Sequence, residues 1–290
     1  MTISIETLRE LRHEFHRFPE LGFQEKQTKI KIASFLKAKG LEVVEGVGVV
    51  GILKSGTGTK TIGLRADMDA LPIQETSKHS YSSTCPGVMH ACGHDGHMTM
   101  LLGAAEELAH SLDFDGTVIF IFQPNEENGL GAKAMLDEGL LSKFPISDIF
   151  ALHNLPGIET GHLMTRKGLI CSSESLFEIR LKGQGGHASM PHVGRDTISV
   201  GSEIIQSLQT IISKRLLPGS GSVLSVTEFI SNGARNVLPG TSLIKGDVRS
   251  RNEEDRLEIK RLMNKIVEGI SRAHEIDSQV SFETEFVETI

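Results

Sequence analysis

At 290 residues, 39% hydrophobic, the chain is long enough for one large domain or two ordinary ones. Thirty-seven acidic against 30 basic side chains, net charge −7 and no basic stripe argue against a nucleic-acid partner, whose phosphates would need a basic face. Cys85, Cys92 and Cys171 cannot all pair with one another, which argues against a secreted disulfide scaffold and for a reducing cytoplasm. The first residues, Met1 to Glu6, combine no basic start with an apolar run. No stretch approaches the roughly 20 apolar residues of a bilayer span, so no membrane partner is expected.

In chain order, Ile5, Leu8, Leu11, Phe15 and Phe18 recur at helical spacing before Pro19, and a second helix is predicted from about Phe23 to Lys39, stopping at Gly40. Two strands follow, Val49 to Lys54 and Thr61 to Ala66, joined by Ser55-Gly56-Thr57-Gly58. Met98, Leu101, Leu102, Ala105, Leu108 and Leu112 put one apolar stripe on a helix that ends before Asp115-Gly116. Thr117 to Phe122 is apolar after its first residue, as in a strand covered on both faces, and Ile149 to Leu152 repeats that signature. Strands alternating with helices predict an α/β layer with a largely parallel sheet.

From about Gly168 the texture changes. Phe177, Ile179 and Leu181 alternate with Glu178, Arg180 and Lys182, the pattern of a strand with one face in water. Asp196 can cap a helix with the stripe Ile204, Ile205, Leu208, Ile211 and Ile212, which gives way at Pro218-Gly219. Strands around Val223 to Ile230 and Leu243 to Arg249 precede a helix opened by Asn252 and running to about Ala273, and Val280, Phe282 and Phe286 suggest a last strand. The order β-α-β-β-α-β is the ferredoxin-like split arrangement. The expected division is 1–168 for an α/β domain and 169–287 for an inserted α+β domain.

Chemistry-bearing residues stand at strand ends. Asp67 and Asp69 lie just beyond the Thr61 strand, Glu126 and Glu127 beyond the Val118 strand, and His153 beyond the Ile149 strand, where open α/β sheets bind ligands. Cys92 and His94 are two apart, so in an extended stretch both point the same way, and thiolate with imidazole suits zinc or a similar divalent ion. Alone, such a pair reads more simply as a core cysteine beside a surface histidine; the neighbouring His90 and His97 favour the metal reading. Adjacent Glu126 and Glu127 diverge, so one can bind metal while the other faces substrate. Asp67 and Asp69 are either strand-end turn residues or carboxylates that orient ligands. Gly185-Gly186-His187 and Gly233-Ala234-Arg235-Asn236 place an imidazole, a guanidinium and an amide on glycine-rich turns that ordinary loops also show.

Five motifs in order, His13 to Glu25, Arg65 to Pro72, Met89 to His97, Gln123 to Glu127 and Gly185 to Ala188, closely resemble the metal-dependent amidohydrolases that include hippurate hydrolase, N-acyl-amino-acid deacylases and auxin-conjugate hydrolases. The resemblance implies a phosphorylase/hydrolase-like catalytic domain interrupted by a lid domain through which the protein forms a homodimer. It implies that Cys92, His94, Glu127 and His153 bind two divalent ions, zinc or manganese, with cobalt or nickel as further options. It also implies that Glu126 is the general base, that His187 and Asn236 hold the reacting carbonyl, and that the substrate is a small N-acyl amino acid. In that family the chain returns to the catalytic domain after the lid and supplies a last histidine ligand. The present sequence stops at Ile290, so it reads as a fragment or a truncated form. Alternatives are a dipeptidase or aminopeptidase with the same chemistry, or a non-catalytic relic that binds or dimerises.

Overall fold

A computed structural model describes residues 3–290, which divide into two units, Met1–Thr160 and Gly161–Ile290. In the first, α1 (Ile5–Arg17) starts where the Ser4 side chain accepts the Thr7 N–H, and α2 (Lys26–Ala38) follows. α2 starts three residues later than the apolar spacing suggests, because Phe23 has φ +60°, outside the helical region. Then come β1 (Glu42–Glu45), β2 (Val49–Ser55), β3 (Thr61–Asp67), α3 (His94–Ser111), β4 (Gly116–Gln123), α4 (Gly131–Asp137), α5 (Leu140–Lys143) and β5 (Asp148–Ala151).

The strand order is β1-β2-β4-β3-β5, and the sheet is mixed rather than largely parallel. β3 runs parallel to β4 and β5, whereas β1 with β2 and β2 with β4 are antiparallel. Connection length explains the difference. β1 and β2 are joined by three residues, enough only to reverse direction, while the stretch containing α3 carries the chain across from β3 to β4 as a parallel pair requires.

β4 is covered on both faces, as its composition suggests. Phe120 and Phe122 join the core formed with Leu11, Ile32, Leu36 and Leu102, and Ile119 and Ile121 face Val50 and Met135. β5 departs from expectation: Ile149 and Phe150 are 50% and 57% exposed, because β5 is the edge strand and, among the described residues, pairs only with β3. The C-terminal ends of β3, β4 and β5 point the same way, so whatever follows each strand meets at one edge.

The second unit contains β6 (Ser173–Lys182), β7 (Gly186–His187), α6 (Thr197–Thr210), β8 (Val223–Ser231), β9 (Val237–Leu238), β10 (Thr241–Ser250), α7 (Glu253–Ala273) and β11 (Asp277–Phe286). The long strands form an antiparallel sheet, β11-β6-β10-β8. Alternate residues of β6 are buried, and Phe177, Ile179 and Leu181 pack with Ile204, Leu208, Ile259 and Met263 in a core of the unit's own. Asp196 caps α6 and Asn252 caps α7 with side-chain acceptors, as the sequence suggests. β7 pairs with β9 in a separate ribbon, with His187 opposite Val237.

Candidate metal centre

Gly93 turns the chain into α3 with φ +93°, a conformation for which glycine is suited. A Cβ there would lie 2.5 Å from the Asn154 amide oxygen, so the residue also lets the segments around Cys92 and His153 close on one another. The turn places Cys92 just before the helix and His94 as its first residue.

The ring of His94 is fully buried, and its Nδ1 lies 2.8 Å from the Asp69 backbone oxygen. A carbonyl only accepts, so Nδ1 carries the hydrogen and the Nε2 lone pair is left available. Among the described residues Nε2 has no hydrogen-bond partner, although it lies 3.7 Å from a Glu127 oxygen, 3.7 Å from Asp67 Oδ2 and 3.9 Å from Glu126 Oε2. Glu127 Oε1 is likewise buried without a partner. His153 donates from Nδ1 to the Asn154 oxygen at 2.6 Å, which directs its Nε2 to Cys92 Sγ at 3.4 Å.

These groups converge on His94. Donor atoms of Cys92, His94 and His153 lie within 4.8 Å of one another, and so do those of His94, Glu126 and Glu127. Two donors about 2.0–2.3 Å from one tetrahedral ion stand roughly 3.3–3.8 Å apart, the spacing seen between Cys92 and His153 and between His94 and Glu127. Sulfur, imidazole nitrogen and carboxylate oxygen together are a donor set for zinc and related borderline ions. The residues therefore fit divalent cations.

The electrostatics describe the same crowding. Burial, followed by the charges of Glu127 and Glu126, pushes the Cys92 thiol up to about 12. Burial and the Glu126 charge raise the Glu127 carboxyl, opposed by His94. Burial lowers His94, but the Asp69 hydrogen bond and the charges of Asp67 and Asp69 win and raise it. A divalent cation among these groups would favour the thiolate and the carboxylates, reversing the shifts of Cys92 and Glu127.

Asp67 and Asp69 are both buried and differ in what they hold. Asp69 takes the Glu127 N–H on Oδ2 at 3.0 Å, so this residue touches the backbone of one cluster and, through its carbonyl, the ring of another. Asp67 binds Arg65 at 2.8 Å and His97 Nδ1 at 2.6 Å. Burial raises the Asp67 carboxyl, but the His97 hydrogen bond and the Arg65 and His94 charges outweigh it and hold it far below the ordinary range. His97 also accepts the Asn154 N–H on Nε2 at 3.0 Å, so both its nitrogens are engaged. It therefore supports the segment next to His153 instead of offering a ligand atom, a role visible in sequence only as its spacing of three from His94 on one helix.

Seven of the residues singled out from sequence, Asp67, Asp69, Cys92, His94, Glu126, Glu127 and His153, thus gather in the first unit. His187 and Asn236 lie on neighbouring backbone stretches in the second, where the Ala188 N–H meets the Asn236 backbone oxygen at 3.0 Å and His187 pairs with Val237. The Ser189 N–H donates to His187 Nδ1 at 3.2 Å, which places the ring hydrogen of neutral His187 on Nε2.

Comparison with known proteins agrees with this geometry. The profile of peptidase family M20/M25/M40 matches residues 63–286. Hippurate hydrolase of Campylobacter jejuni is 42% identical over 274 residues, 93% of this chain and 71% of that protein. Among solved structures, a protein described as an aminohydrolase from methicillin resistant Staphylococcus aureus has TM-score 0.92 and 35% identity, covering 98% of this chain and 78% of its own. The YXEP protein of Bacillus subtilis, described as a dinuclear metal binding peptidase from the M20 family, has TM-score 0.84 and 31% identity over 98% and 75%. A family match over most of the chain, carried on an edge where thiol, imidazole and carboxyl groups meet, makes this protein an amidohydrolase of peptidase family M20/M25/M40.

Proposed function

We propose that the protein hydrolyses the amide bond of small N-acyl amino acids of the hippurate or N-acetyl type. The observation that carries this reading is the partnerless Nε2 of buried His94, surrounded by Glu126, Glu127 and Asp67 and sharing a donor cluster with Cys92 and His153. Cys92, His94, Glu127 and His153 would hold two divalent ions, zinc or manganese, with cobalt or nickel also compatible with the donor set. Such ions supply Lewis acidity, which polarises a carbonyl and lowers the pKa of water towards about 7.

Glu126, one-third exposed beside buried His94, is the general base: its carboxylate takes a proton from the attacking water and returns it to the departing amine. Asp69 keeps His94 and the Glu127 backbone in register, and Asp67 acts through His97 on the segment of His153. The Nε2–H of His187 and the side-chain amide of Asn236 supply hydrogen bonds to the oxygen on which negative charge develops. Residues 1–168 are the catalytic domain, and 169–287 the lid through which two copies dimerise. The three free cysteines suit a cytoplasmic setting.

A substrate panel tests the reading. With zinc or manganese supplied, hippurate and N-acetyl amino acids are turned over in preference to unblocked dipeptides; the reverse preference would make the protein a dipeptidase or aminopeptidase. Glu126→Gln is expected to lower kcat by about 10²–10⁴-fold while metal content by elemental analysis stays unchanged. Near-parental turnover in that variant would remove Glu126 from the role of base.

A further inference from the structure

The motif from His13 to Glu25 has no part in the site as described so far, yet its last residues reach Asn125, the residue immediately before Glu126. Asn125 is 2% exposed and has φ +46°, the left-handed region that non-glycine residues seldom occupy. Its backbone is tied on both sides. The Asn125 N–H donates to Glu25 Oε1 at 2.8 Å, and the Asn125 oxygen accepts the Gly131 N–H at 3.1 Å where α4 begins. Its side-chain oxygen takes the Asn128 amide at 2.6 Å.

Glu25 is itself 2% exposed and stands at the N-cap position of α2, where it makes no side-chain cap. Glu20 does the capping, accepting the N–H groups of Gln27 at 3.1 Å and Thr28 at 2.9 Å. The Glu25 carboxylate is thereby left for Asn125. The intervening loop is bent to deliver it: Phe23 also has a positive φ, +60°, and Leu21 bridges to Ala70, next to Asp69. Gly22 completes the fit, since a Cβ there would lie 1.8 Å from the Asn125 side-chain oxygen.

We propose that Glu25 is a positioning residue for Glu126, holding Asn125 in its left-handed conformation so that the next carboxylate is aimed at the metal cluster. A single residue exchanged between left-handed and extended conformation redirects the chain that follows, and Asn125 is the last residue before the group that moves the proton. Asp69 holds the backbone of Glu127 and of Glu126 from the other side, so Glu25 acts one residue upstream, on the turn through which Glu126 enters the site. The effect on catalysis rests on Glu126 being the general base; the clamp itself does not.

Hydrogen exchange of the Asn125 amide and steady-state kinetics on hippurate, both on the 290-residue chain supplied with manganese, test the two parts separately. In Glu25→Ala the Asn125 amide is expected to exchange about 100-fold faster while the β4 amides keep their protection. kcat is expected to fall about tenfold or more with KM within about threefold, as for a misaimed group. Glu25→Gln, which keeps an acceptor oxygen, retains most of both. Adding Asn125→Gly to Glu25→Ala recovers part of kcat, because glycine adopts positive φ at little cost. An Asn125 amide as protected in Glu25→Ala as in the parent would overturn the proposal, and so would a parental kcat with the amide released. Full turnover in Glu126→Gln would instead remove the base assignment, leaving the exchange result to decide the clamp.

Discussion

Single residues in this site are decided by which nitrogen or oxygen is left over. His97 has none to spare, and truncating it takes a partner from the buried Asp67 Oδ1, leaving that carboxylate only Arg65, and from the N–H of exposed Asn154. His97→Ala is accordingly expected to cost roughly 1–3 kcal/mol in urea unfolding and to weaken metal binding in titration calorimetry, although the residue binds no metal itself. His16 gives a pH signature. Its hydrogen bond to Asp95 at 3.0 Å raises it above the ordinary 6.5, against burial and with help from Glu75. The charged ring is thus favoured by folding. Its contribution is complete below pH 6.5 and is lost as pH rises from 6.5 through the raised folded value, so His16→Gln should flatten the decline in unfolding free energy across that window. His90 acts oppositely: burial drives it to about 4, and its penalty appears as pH falls from 6.5 towards that value. At this scale the sequence made the sulfur, imidazole and carboxylate clusters legible through their spacing. Glu25 and Asn125 stand within two of the motifs, but their contact is not legible there, because a carboxylate that holds a backbone N–H 100 residues away leaves no local pattern.

Among the elements, β4 and β5 show where composition stops being informative. Both read as apolar runs, yet one has a neighbour on each side and the other has a free edge, a distinction set by topology. β1, α4 and α5 went unread because four to seven residues are too few for a period to show. The mixed sheet is not legible in the alternation of strands and helices, because pairing direction follows from which strands end up adjacent. Beside β5, Met100, Leu101, Ala104, Phe150 and Leu152 help line a largely apolar groove of about 270 Å³. An apolar edge of this kind invites association. Ile149→Lys with Phe150→Lys is expected to reduce both concentration-dependent light scattering and the fluorescence of an apolar-surface dye, while changing unfolding free energy by only about 0.5 kcal/mol per substitution. Unchanged scattering would mean that this edge does not drive association.

Across the whole molecule, each of the two units has its own core, and the candidate ligands all belong to the first. Calorimetry should therefore resolve two transitions, of which zinc or manganese raises only the one belonging to residues 1–160, since an ion stabilises the state that binds it. A metal-induced shift of both together would show that the units unfold as one. The ligand groups also lie far apart along the chain, Cys92 being separated from His153 by 61 positions. A cation gripping both would act as a removable staple: it is held only by the folded arrangement, so each tenfold excess of free ion over its dissociation constant adds about 1.4 kcal/mol to stability. Chelation would withdraw that constraint at a stroke, so the cation supply of the cell would govern the lifetime of the protein as well as its chemistry.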